Sequence, residues 1–521
     1  MARDLEPEKS RGGRSLAPAE ALRLALRAGA KMRRLPDARA LRSRLPGSAH
    51  LLLSLRLHPE EGAVFRFAAR LQSVSFATAF AVLVVCAPAE AVTFNVTKTN
   101  DSADGSCDAD CSLREAVIAA NAAGGADTVL LPAGAYDLTI ADASAGIDED
   151  AGATGDLDIA PGGLTLQGAG AVATSIDAKT LGNRIVHVLG YYSDSPIAIR
   201  GVTLEGGDSS AQGGSAEGGS SVRVDDSFPG LVVTLDDVVV DKSGAGASAV
   251  RSVATLVVTD CTFSENGTST ALALATANVN KSFSTSSATR IERTTFRQND
   301  GFAITAVKNE DRLHNFELVN STLSGNNAAG ASGIYDAAIF STNHARIWNT
   351  TIADGGGYGI AALADAWGTP QLEVQSSVFR SNALGNVMPT SATDGATLPI
   401  SRGGNVVSDA GAGAFTQLTD KISINPLLLA LADNGGKTLT YALAPTSPAV
   451  DAGLNSGTLG SCPAFDQRGE IRPQDGDGNG SVICDAGAVE IVPEPSTAML
   501  ALGAALALWA RGAVVRGRQA G

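Results

Sequence analysis

Seven stretches of this chain repeat one short pattern, and this repeat restricts the fold more than any other feature. When the stretches are aligned, two positions five residues apart are apolar in all seven. The first position holds Ile199, Leu235, Val258, Ile291, Leu318, Ile347 and Val374. The second position holds Leu204, Val240, Phe263, Phe296, Leu323, Ile352 and Phe379, at successive spacings of 36, 23, 33, 27, 29 and 27 residues.

Each repeat contains short strands and turns and is too short to bury its apolar side alone. Stacking the repeats in parallel, about 4.8 Å apart, places each apolar column inside one continuous core. The irregular spacing then reflects loops of different length that leave the coil. Blades of a β-propeller would need about 40 residues with four strands each. The pattern therefore predicts an all-β fold, a right-handed parallel β-helix over residues 128–425.

Asparagine recurs three residues after the second apolar position. It does so in four of the repeats, at Asn266, Asn299, Asn326 and Asn382. Asparagine tolerates the left-handed backbone conformation, and stacked amides can hydrogen-bond to one another. We therefore expect a turn at this position and a ladder of amides along the coil.

A capping helix is predicted within residues 92–127, which precede the coil. Ser112 followed by Glu115 forms a capping box, and Gly124 can end the helix. One apolar side follows from the helical spacing of Leu113, Ala116, Val117 and Ala120. Because a solenoid exposes apolar residues at its end, we expect this helix to cover the first coil.

Charge is distributed unevenly along the chain. Residues 93–492 contain 21 Lys and Arg against 45 Asp and Glu, so this part repels nucleic acid and anionic membranes. Residues 1–70 contain 15 Lys and Arg against 7 Asp and Glu. They form either a basic extension or a sequence placed upstream of the true translation start.

Both ends of the acidic part carry signals typical of exported proteins. Leu71–Cys86 is an apolar run preceded by arginines and followed by small residues, which predicts a signal peptide over residues 71–91. At the other end, prolines precede the apolar stretch Ala498–Ala510, and a basic tail follows. Residues 492–521 therefore read as a tripartite sorting signal or as a simple tail anchor.

The cysteines are consistent with an oxidising compartment. Cys107 and Cys111 flank a short polar turn, and Cys462 and Cys484 form a second plausible pair. The first pair could instead be half of a zinc site, although no second cysteine or histidine pair lies nearby. Cys261 shares a column with small residues, which favours a place in the core.

Three motifs resemble those of exported bacterial β-helix proteins. Residues 111–116 read CSLREA, a motif found near the start of many such proteins. Residues 447–453, 466–469 and 484–490 resemble a choice-of-anchor C-terminal module, predicted over 426–491. Pro493-Glu494-Pro495 resembles a PEP-CTERM signal. The resemblance implies processing by an exosortase-type protease and a place on the cell surface or in the biofilm matrix of a Gram-negative bacterium.

Catalytic residues are harder to identify from the sequence. Asp237 and Asp260 share one column on neighbouring repeats, where stacked carboxylates would match the separation of a retaining glycosidase pair. Arg293 follows in the same column and could act as the base of a lyase. The other interpretation is a solvent-facing turn whose charged residues form surface ion pairs.

The best metal candidate is the loop that contains Asp475, Asp477 and Asn479. Oxygen ligands at alternate positions match the first half of a calcium loop, although Ala486 stands where a bidentate acid is expected. Asp- and Gly-rich turns without calcium are also common. Asp466 and Arg468 favour a buried ion pair within the C-terminal module.

The histidines of the sequence do not indicate a further metal site. His187, His314 and His344 are isolated in the sequence, which favours structural or surface roles over metal binding.

Two functions fit these features. The first is an exported structural or adhesive protein of the extracellular matrix, whose polar ladders suit association with an exopolysaccharide. The second is a secreted polysaccharide lyase or glycoside hydrolase on the same scaffold, since fold alone does not decide function. Neither function requires a cofactor, and calcium is the one candidate. No nucleic-acid partner is expected.

Overall fold

A computed structural model of the chain describes the parts discussed from here on. These parts are residues 52–56, 64–68 and 90–492, apart from 143–148, 190–194, 210–217, 226–229, 245–247, 269, 276–287, 308–314, 328–336, 342–343, 364–371 and 392–395. The apolar signal segment, His314 and Pro493–Pro495 lie outside the described residues.

The chain divides into two compact units, Met1–Cys86 and Ala87–Gly521. In the first unit, Leu52–Arg56 pairs with Val64–Ala68 in antiparallel fashion. The second unit contains the predicted parallel β-helix, in which three strands per coil build three parallel faces.

Faces 1 and 2 are joined at one corner of the coil. The strands of face 1 are Thr93–Asn95, Asp127–Leu130, Leu164–Gln167, Ile197–Glu205, Val232–Asp241, Thr255–Thr259, Ala288–Glu292, Asn315–Val319, Ala345–Trp348, Leu372–Gln375 and Ile400–Ser401. Two of these, Ile197–Glu205 and Val232–Asp241, continue through the corner into face 2. The other strands of face 2 are Gly134–Asp137, Thr174–Asp177, Thr262–Ser264, Thr295–Arg297, Thr322–Ser324, Thr351–Ala353, Val378–Arg380, Val406–Val407 and Lys421–Ile422.

Face 3 closes each coil. Its strands are Leu157–Ile159, Val186–Val188, Val222–Val224, Val250–Ser252, Thr270–Ala275, Phe302–Val307, Ala337–Ser341, Tyr358–Leu363 and Gly385–Val387. The short strand Ala396–Thr397 pairs with Tyr358–Leu363 in antiparallel fashion. A single turn of 3₁₀ helix follows at Gly411–Gly413.

The two apolar columns predicted from the repeats are stacked in register. Every neighbouring pair is matched, for example Val258 with Ile291 on face 1 and Phe263 with Phe296 on face 2. The rings of Phe263 and Phe296 stack with centroids 4.6 Å apart. Both columns are fully buried within one core that runs along the coil. Parallel stacking of like side chains therefore supplies the core, as the repeat predicts.

Left-handed backbone conformations form the two corners that bracket face 2. Those at the first corner have φ between 44° and 62°, at Gly201, Asp237, Asp260, Arg293, Asn320, Asn349 and Ser376. Those at the second have φ between 49° and 74°, at Gly206, Lys242, Glu265, Gln298, Gly325, Asp354 and Ser381. Non-glycine residues seldom adopt this conformation, so the regular recurrence reflects a turn imposed by the coil geometry.

The asparagine column makes the expected ladder, but the expected backbone conformation was wrong. Asn266 Nδ2 donates to Asn299 Oδ1 at 2.8 Å, and Asn299 Nδ2 donates to Asn326 Oδ1 at 2.7 Å. The left-handed residue is the one immediately before each asparagine. The asparagine side chains point into the coil, where their amides also donate to buried backbone carbonyls. Asn299 Nδ2, for example, donates to Phe263 O. A polar residue is stable there because the ladder satisfies its donors and acceptors.

The capping helix spans Leu113–Ala123 and packs against the first strands of faces 1 and 3. Ser112 and Glu115 form the capping box, and Gly124 follows with φ of 67°. Burial opposes ionisation of Glu115, but hydrogen bonds from Ser112, Ser102 and Asp104 lower the pKa of its carboxyl to about 2.

Arg114 fastens this helix to the coil. Its guanidinium is fully buried and bonds to the Asp101 carboxylate and to backbone carbonyls of Gly152, Gly155 and Asp156. A buried arginine is tolerated because its donors reach a carboxylate and three carbonyl oxygens.

The residues after the last coil form a C-terminal module that packs against the outer side of face 2. Its only regular sheet among the described residues is the antiparallel pair Leu428–Ala432 and Thr440–Leu443. Gln467 Nε2 donates to Thr295 Oγ1 at 2.9 Å and Gln467 Oε1 accepts from Thr322 Oγ1 at 2.6 Å. The module therefore covers a ladder of threonines on face 2 and leaves part of face 1 open.

Candidate functional site

A groove of about 380 Å³ lies on the outer side of face 1. Four successive strands contribute to its lining, which includes Val257, Arg290, Glu317, His344 and Arg346. Because neighbouring strands are about 4.8 Å apart, the groove extends about 14 Å along the coil axis. Its direction and open form suit an extended chain more than a compact small molecule.

Charged side chains of alternating sign run along this part of face 1. Arg290, Glu317, Arg346 and Glu373 are successive partners in the strand register. Arg290 Nη1 lies 2.9 Å from Glu317 Oε2, and Arg402 continues the ladder with an ion pair to Glu373. In the sequence these four residues lie six places before the second apolar position, so the alternation was visible in the aligned repeats. The sequence analysis did not identify this column.

Arg346 is held less firmly than Arg290. Arg290 makes three hydrogen bonds, two to Glu292 and one to Glu317, at 2.9–3.2 Å. Arg346 lies 3.6 Å from both Glu317 and Glu373, which is too long for a hydrogen bond. Its Nε is buried and has no hydrogen-bond acceptor among the described residues. Arg346 is therefore a charged, 43 % exposed side chain with hydrogen-bonding capacity to spare.

The one tryptophan of this face is covered. Trp348 is 6 % exposed, lies beneath the Arg290 guanidinium at 5.7 Å, and has Gly460 of the C-terminal module beside it. It supports the arginine through a cation–π contact and offers no open stacking platform.

Each of the two candidate catalytic carboxylates has a cation beside it. Asp260 is held by Arg293 through two hydrogen bonds of 2.8 and 3.1 Å, which also raise the pKa of the guanidinium. Asp237 lies 3.4 Å from Lys437 of the C-terminal module. A retaining glycosidase needs two carboxyl groups directed at one bond. Here each carboxylate faces its own cation at a backbone corner, so the alternative of surface ion pairs fits the geometry better.

Two of the three candidate calcium ligands do come together, with a partner that the sequence analysis missed. Carboxylate oxygens of Asp451, Asp475 and Asp477 lie within 4.8 Å of one another. Asn479 lies beside this group: its side-chain nitrogen donates to Asp477, and its side-chain oxygen accepts from Ser481 N. Burial, together with the neighbouring Asp477 carboxylate, raises the pKa of Asp451. This group could hold a metal ion.

A buried acidic pair lies behind this loop. Burial and the Glu490 carboxylate raise the pKa of Asp485 to about 7. Glu490 is balanced by the fully buried Arg472, and Asp466 forms the predicted ion pair with Arg468. These contacts hold the loops of the C-terminal module together.

His187 lies in a cluster that the sequence did not indicate. Its Nε2 is 2.9 Å from Asp225 Oδ2 and its Nδ1 is 3.3 Å from Asp158 Oδ1, on the outer side of face 3. Burial opposes protonation, but hydrogen bonds to the two carboxylates outweigh it and raise the pKa of His187 to about 9. The imidazole is 3 % exposed and is not isolated: His187, Asp150 and Asp158 form a second group whose ligand atoms lie within 4.8 Å of one another and could hold a metal ion.

Four described cysteines form two disulfides, and Cys261 is a free thiol. Cys107 is bonded to Cys111, which leaves no thiolate there for zinc, and Cys462 is bonded to Cys484. Cys261 is fully buried in the core, where burial raises the pKa of its thiol. Within the described part of the chain, no helix has the length and apolar character that a membrane crossing requires.

Comparisons with known proteins give no family match and only low structural similarities. No protein family profile and no curated protein matches the chain. Pectate lyase Pel9A is similar in structure at 14 % identity and a TM-score of 0.35, covering 77 % of this chain and 96 % of the lyase. The A-module of mannuronan C-5 epimerase AlgE4 from Azotobacter vinelandii is similar at 17 % identity and a TM-score of 0.29, covering 63 % and 86 %. Identities this low concern the fold alone, and the TM-scores are too low to bear on function.

Proposed function

We propose that this protein is an exported β-helix that binds a polysaccharide along face 1 and serves as a structural or adhesive element outside the cell. The observation that supports it most is the groove across four strands of face 1. The groove is parallel to the coil axis, so consecutive sugar residues of an extended chain can meet equivalent positions on consecutive coils.

The residues of this groove favour binding over cleavage. Among the described residues, Glu317 is the only carboxylate that lines it, and Arg290 donates a hydrogen bond to Glu317. Hydrolysis of a glycosidic bond ordinarily uses two carboxyl groups, one as acid and one as base or nucleophile. A lyase or hydrolase activity remains the alternative, and product release distinguishes it.

Export is supported by covalent chemistry as well as by the terminal signals. Two disulfides are typical of proteins that mature in an oxidising compartment. Residues 71–91 would direct secretion, and an exosortase-type protease would process residues 492–521 at the inner membrane. The product is a cell-surface or matrix protein of a Gram-negative bacterium, and mass spectrometry of the native protein would define both termini.

The binding function is tested by co-sedimentation of the protein with a panel of insoluble neutral and acidic polysaccharides. We expect retention by at least one polysaccharide, with no release of reducing sugar or unsaturated product. Ala288→Trp would place a large ring in the groove and should abolish retention without lowering the melting temperature. The control Val172→Trp adds the same ring at a fully exposed site outside the groove lining.

Either of two results would overturn the proposal. One is the absence of binding across the panel. The other is time-dependent release of unsaturated or reducing product, which would make the protein an enzyme.

A further inference from the structure

We propose that the groove of face 1 selects polysaccharides that carry carboxylates, and that Arg346 is the side chain that pairs with them. This inference rests on the proposed function and names the ligand class for the same groove. It starts from the difference between the two arginines of the groove: Arg290 is hydrogen-bonded to neighbouring glutamates, whereas Arg346 is not.

The spare donors of Arg346 define the chemistry of the ligand. A guanidinium has five N–H donors in a planar fork that matches a carboxylate through two parallel hydrogen bonds. Arg346 makes only ion contacts of 3.6 Å, and its buried Nε has no acceptor among the described residues. Because Nε is buried, a uronate carboxylate that enters the groove would accept from the terminal Nη groups of this 43 % exposed side chain.

The charge of the surrounding surface makes this site selective. Residues 93–492 carry a large excess of acidic residues, so most of the surface repels a polyanion. The lining of the groove contains two arginines and one glutamate, and Glu292 and Glu373 lie beside the arginines, so the groove is less acidic than the rest of this surface. We therefore expect a polyanion to bind in the groove of face 1, and its affinity to fall as salt screens the attraction between carboxylates and arginines.

The spacing of the arginines suits a polymer. Arg290 and Arg346 are two strands apart on the same face, which corresponds to about 10 Å. A repeat of two sugar residues in an extended chain is of comparable length. Alternate carboxylates of one polyuronate chain can therefore lie near the two guanidiniums at the same time.

The test compares alginate oligosaccharides with neutral dextran oligosaccharides by isothermal titration calorimetry on the full chain. We expect alginate to bind more tightly than dextran, with an affinity that falls as salt is raised. Arg346→Gln should weaken alginate binding about tenfold, the cost of losing a charged hydrogen-bond partner, and leave dextran binding unchanged. Arg346→Lys should give an intermediate affinity, because it keeps the charge and loses the planar fork.

Two further variants separate recognition from general electrostatics. Arg297→Gln removes an arginine of face 2 that pairs with Glu265 outside the groove, and it should leave alginate affinity unchanged. Glu317→Gln removes the carboxylate that lies between Arg290 and Arg346, so it frees donors of both arginines, and it should strengthen alginate binding several-fold. A gain in affinity cannot come from a damaged fold, so this variant keeps the test decisive if Arg346→Gln folds poorly.

The outcomes distinguish the two proposals. Equal binding of dextran and alginate, or an alginate affinity that neither Arg346→Gln nor Glu317→Gln changes, would overturn the acidic-ligand inference while the binding function stands. Absence of binding to every polysaccharide would remove the proposed function itself.

Discussion

The inner and outer sides of the same strands obey different rules in this molecule. In Ala288–Glu292, Thr289 and Ile291 are buried inside the coil, whereas Arg290 is exposed on the outer side. The inner columns that contain Ile291 and Phe296 are apolar on every one of the seven repeats. The outer column that contains Arg290 changes from valine to arginine to glutamate between neighbouring coils.

The difference shows where stability and where binding reside. Inside, each side chain contacts its equivalents above and below, so one unsuitable residue disturbs three coils. Outside, a side chain is limited only by solvent and by its nearest charges, and substitutions there usually change stability by less than about 0.5 kcal/mol. Four sets of substitutions test this contrast, and the expected change in stability decreases from the first to the last.

The largest effect is expected for Phe296→Ala. This ring is fully buried and stacked on Phe263, so its loss should lower the free energy of unfolding by about 3–5 kcal/mol. Chemical denaturation measures the change. Arg297→Ala is the matched control on the same strand, because its side chain points outward, and it should cost less than about 0.5 kcal/mol. Equal effects of the two changes would contradict the contrast.

The amide ladder should be nearly as sensitive. Asn299→Ala removes the side-chain acceptor of the Asn266 amide and the side-chain donor to the Asn326 oxygen, and we expect a loss of about 2 kcal/mol. The same denaturation experiment measures it. Gln298→Ala changes the preceding residue, which lies at the exposed corner. A loss no greater than that of the control would show that the ladder is not a source of stability.

The pH dependence of unfolding tests whether the cluster of His187, Asp158 and Asp225 on the outer side of face 3 contributes to stability. The folded pKa of His187, about 9, exceeds the unfolded value of about 6.5, so the stabilisation is complete below pH 6.5 and disappears as the pH rises through 9. His187→Asn should remove this fall in stability, on the order of 1–2 kcal/mol, between those pH values. Melting temperatures recorded from pH 6 to 10 measure it. An unchanged pH profile in the variant would assign the titration to another group.

The smallest effect is expected at the acidic loop of the C-terminal module. Asp477→Asn removes one of three neighbouring carboxylates and should raise stability by about 0.5 kcal/mol when a chelator is present. If the loop holds calcium, added calcium should stabilise the natural protein and not the variant. Scanning calorimetry with calcium or with chelator tests both statements. Asp300→Asn provides an exposed control outside the loop.

Much of the fold was predictable because its determinants are local and periodic. Ile291 and Phe296 repeat at fixed places in their segments, and parallel stacking needs only that periodicity. Ser112 and Glu115 are three residues apart and define the start of the capping helix by themselves. The asparagine column was predicted to form a ladder. The left-handed backbone conformation was predicted for the asparagines themselves but occurs at the residue before each of them, because the sequence pattern does not locate the corner.

The site was less predictable because its contacts join distant parts of the chain. Asp451 belongs with Asp475 and Asp477 only because the C-terminal module folds back on itself. His187 meets Asp158 and Asp225 through strands on three successive coils. The stacking of Asp237 and Asp260 could be read from the repeat, but their separate cations, Lys437 and Arg293, could not.

The sequence by itself determined the coil, its apolar columns and its capped beginning, because side chains at a fixed period must meet when identical units stack. Which of the outer surfaces, face 1 or face 2, stays open to solvent depends on contacts between distant parts of the chain. The C-terminal module covers the threonines of face 2 and leaves the arginines of face 1 in contact with solvent. That choice depends on the path of a segment more than a hundred residues away along the chain, and no local pattern records it.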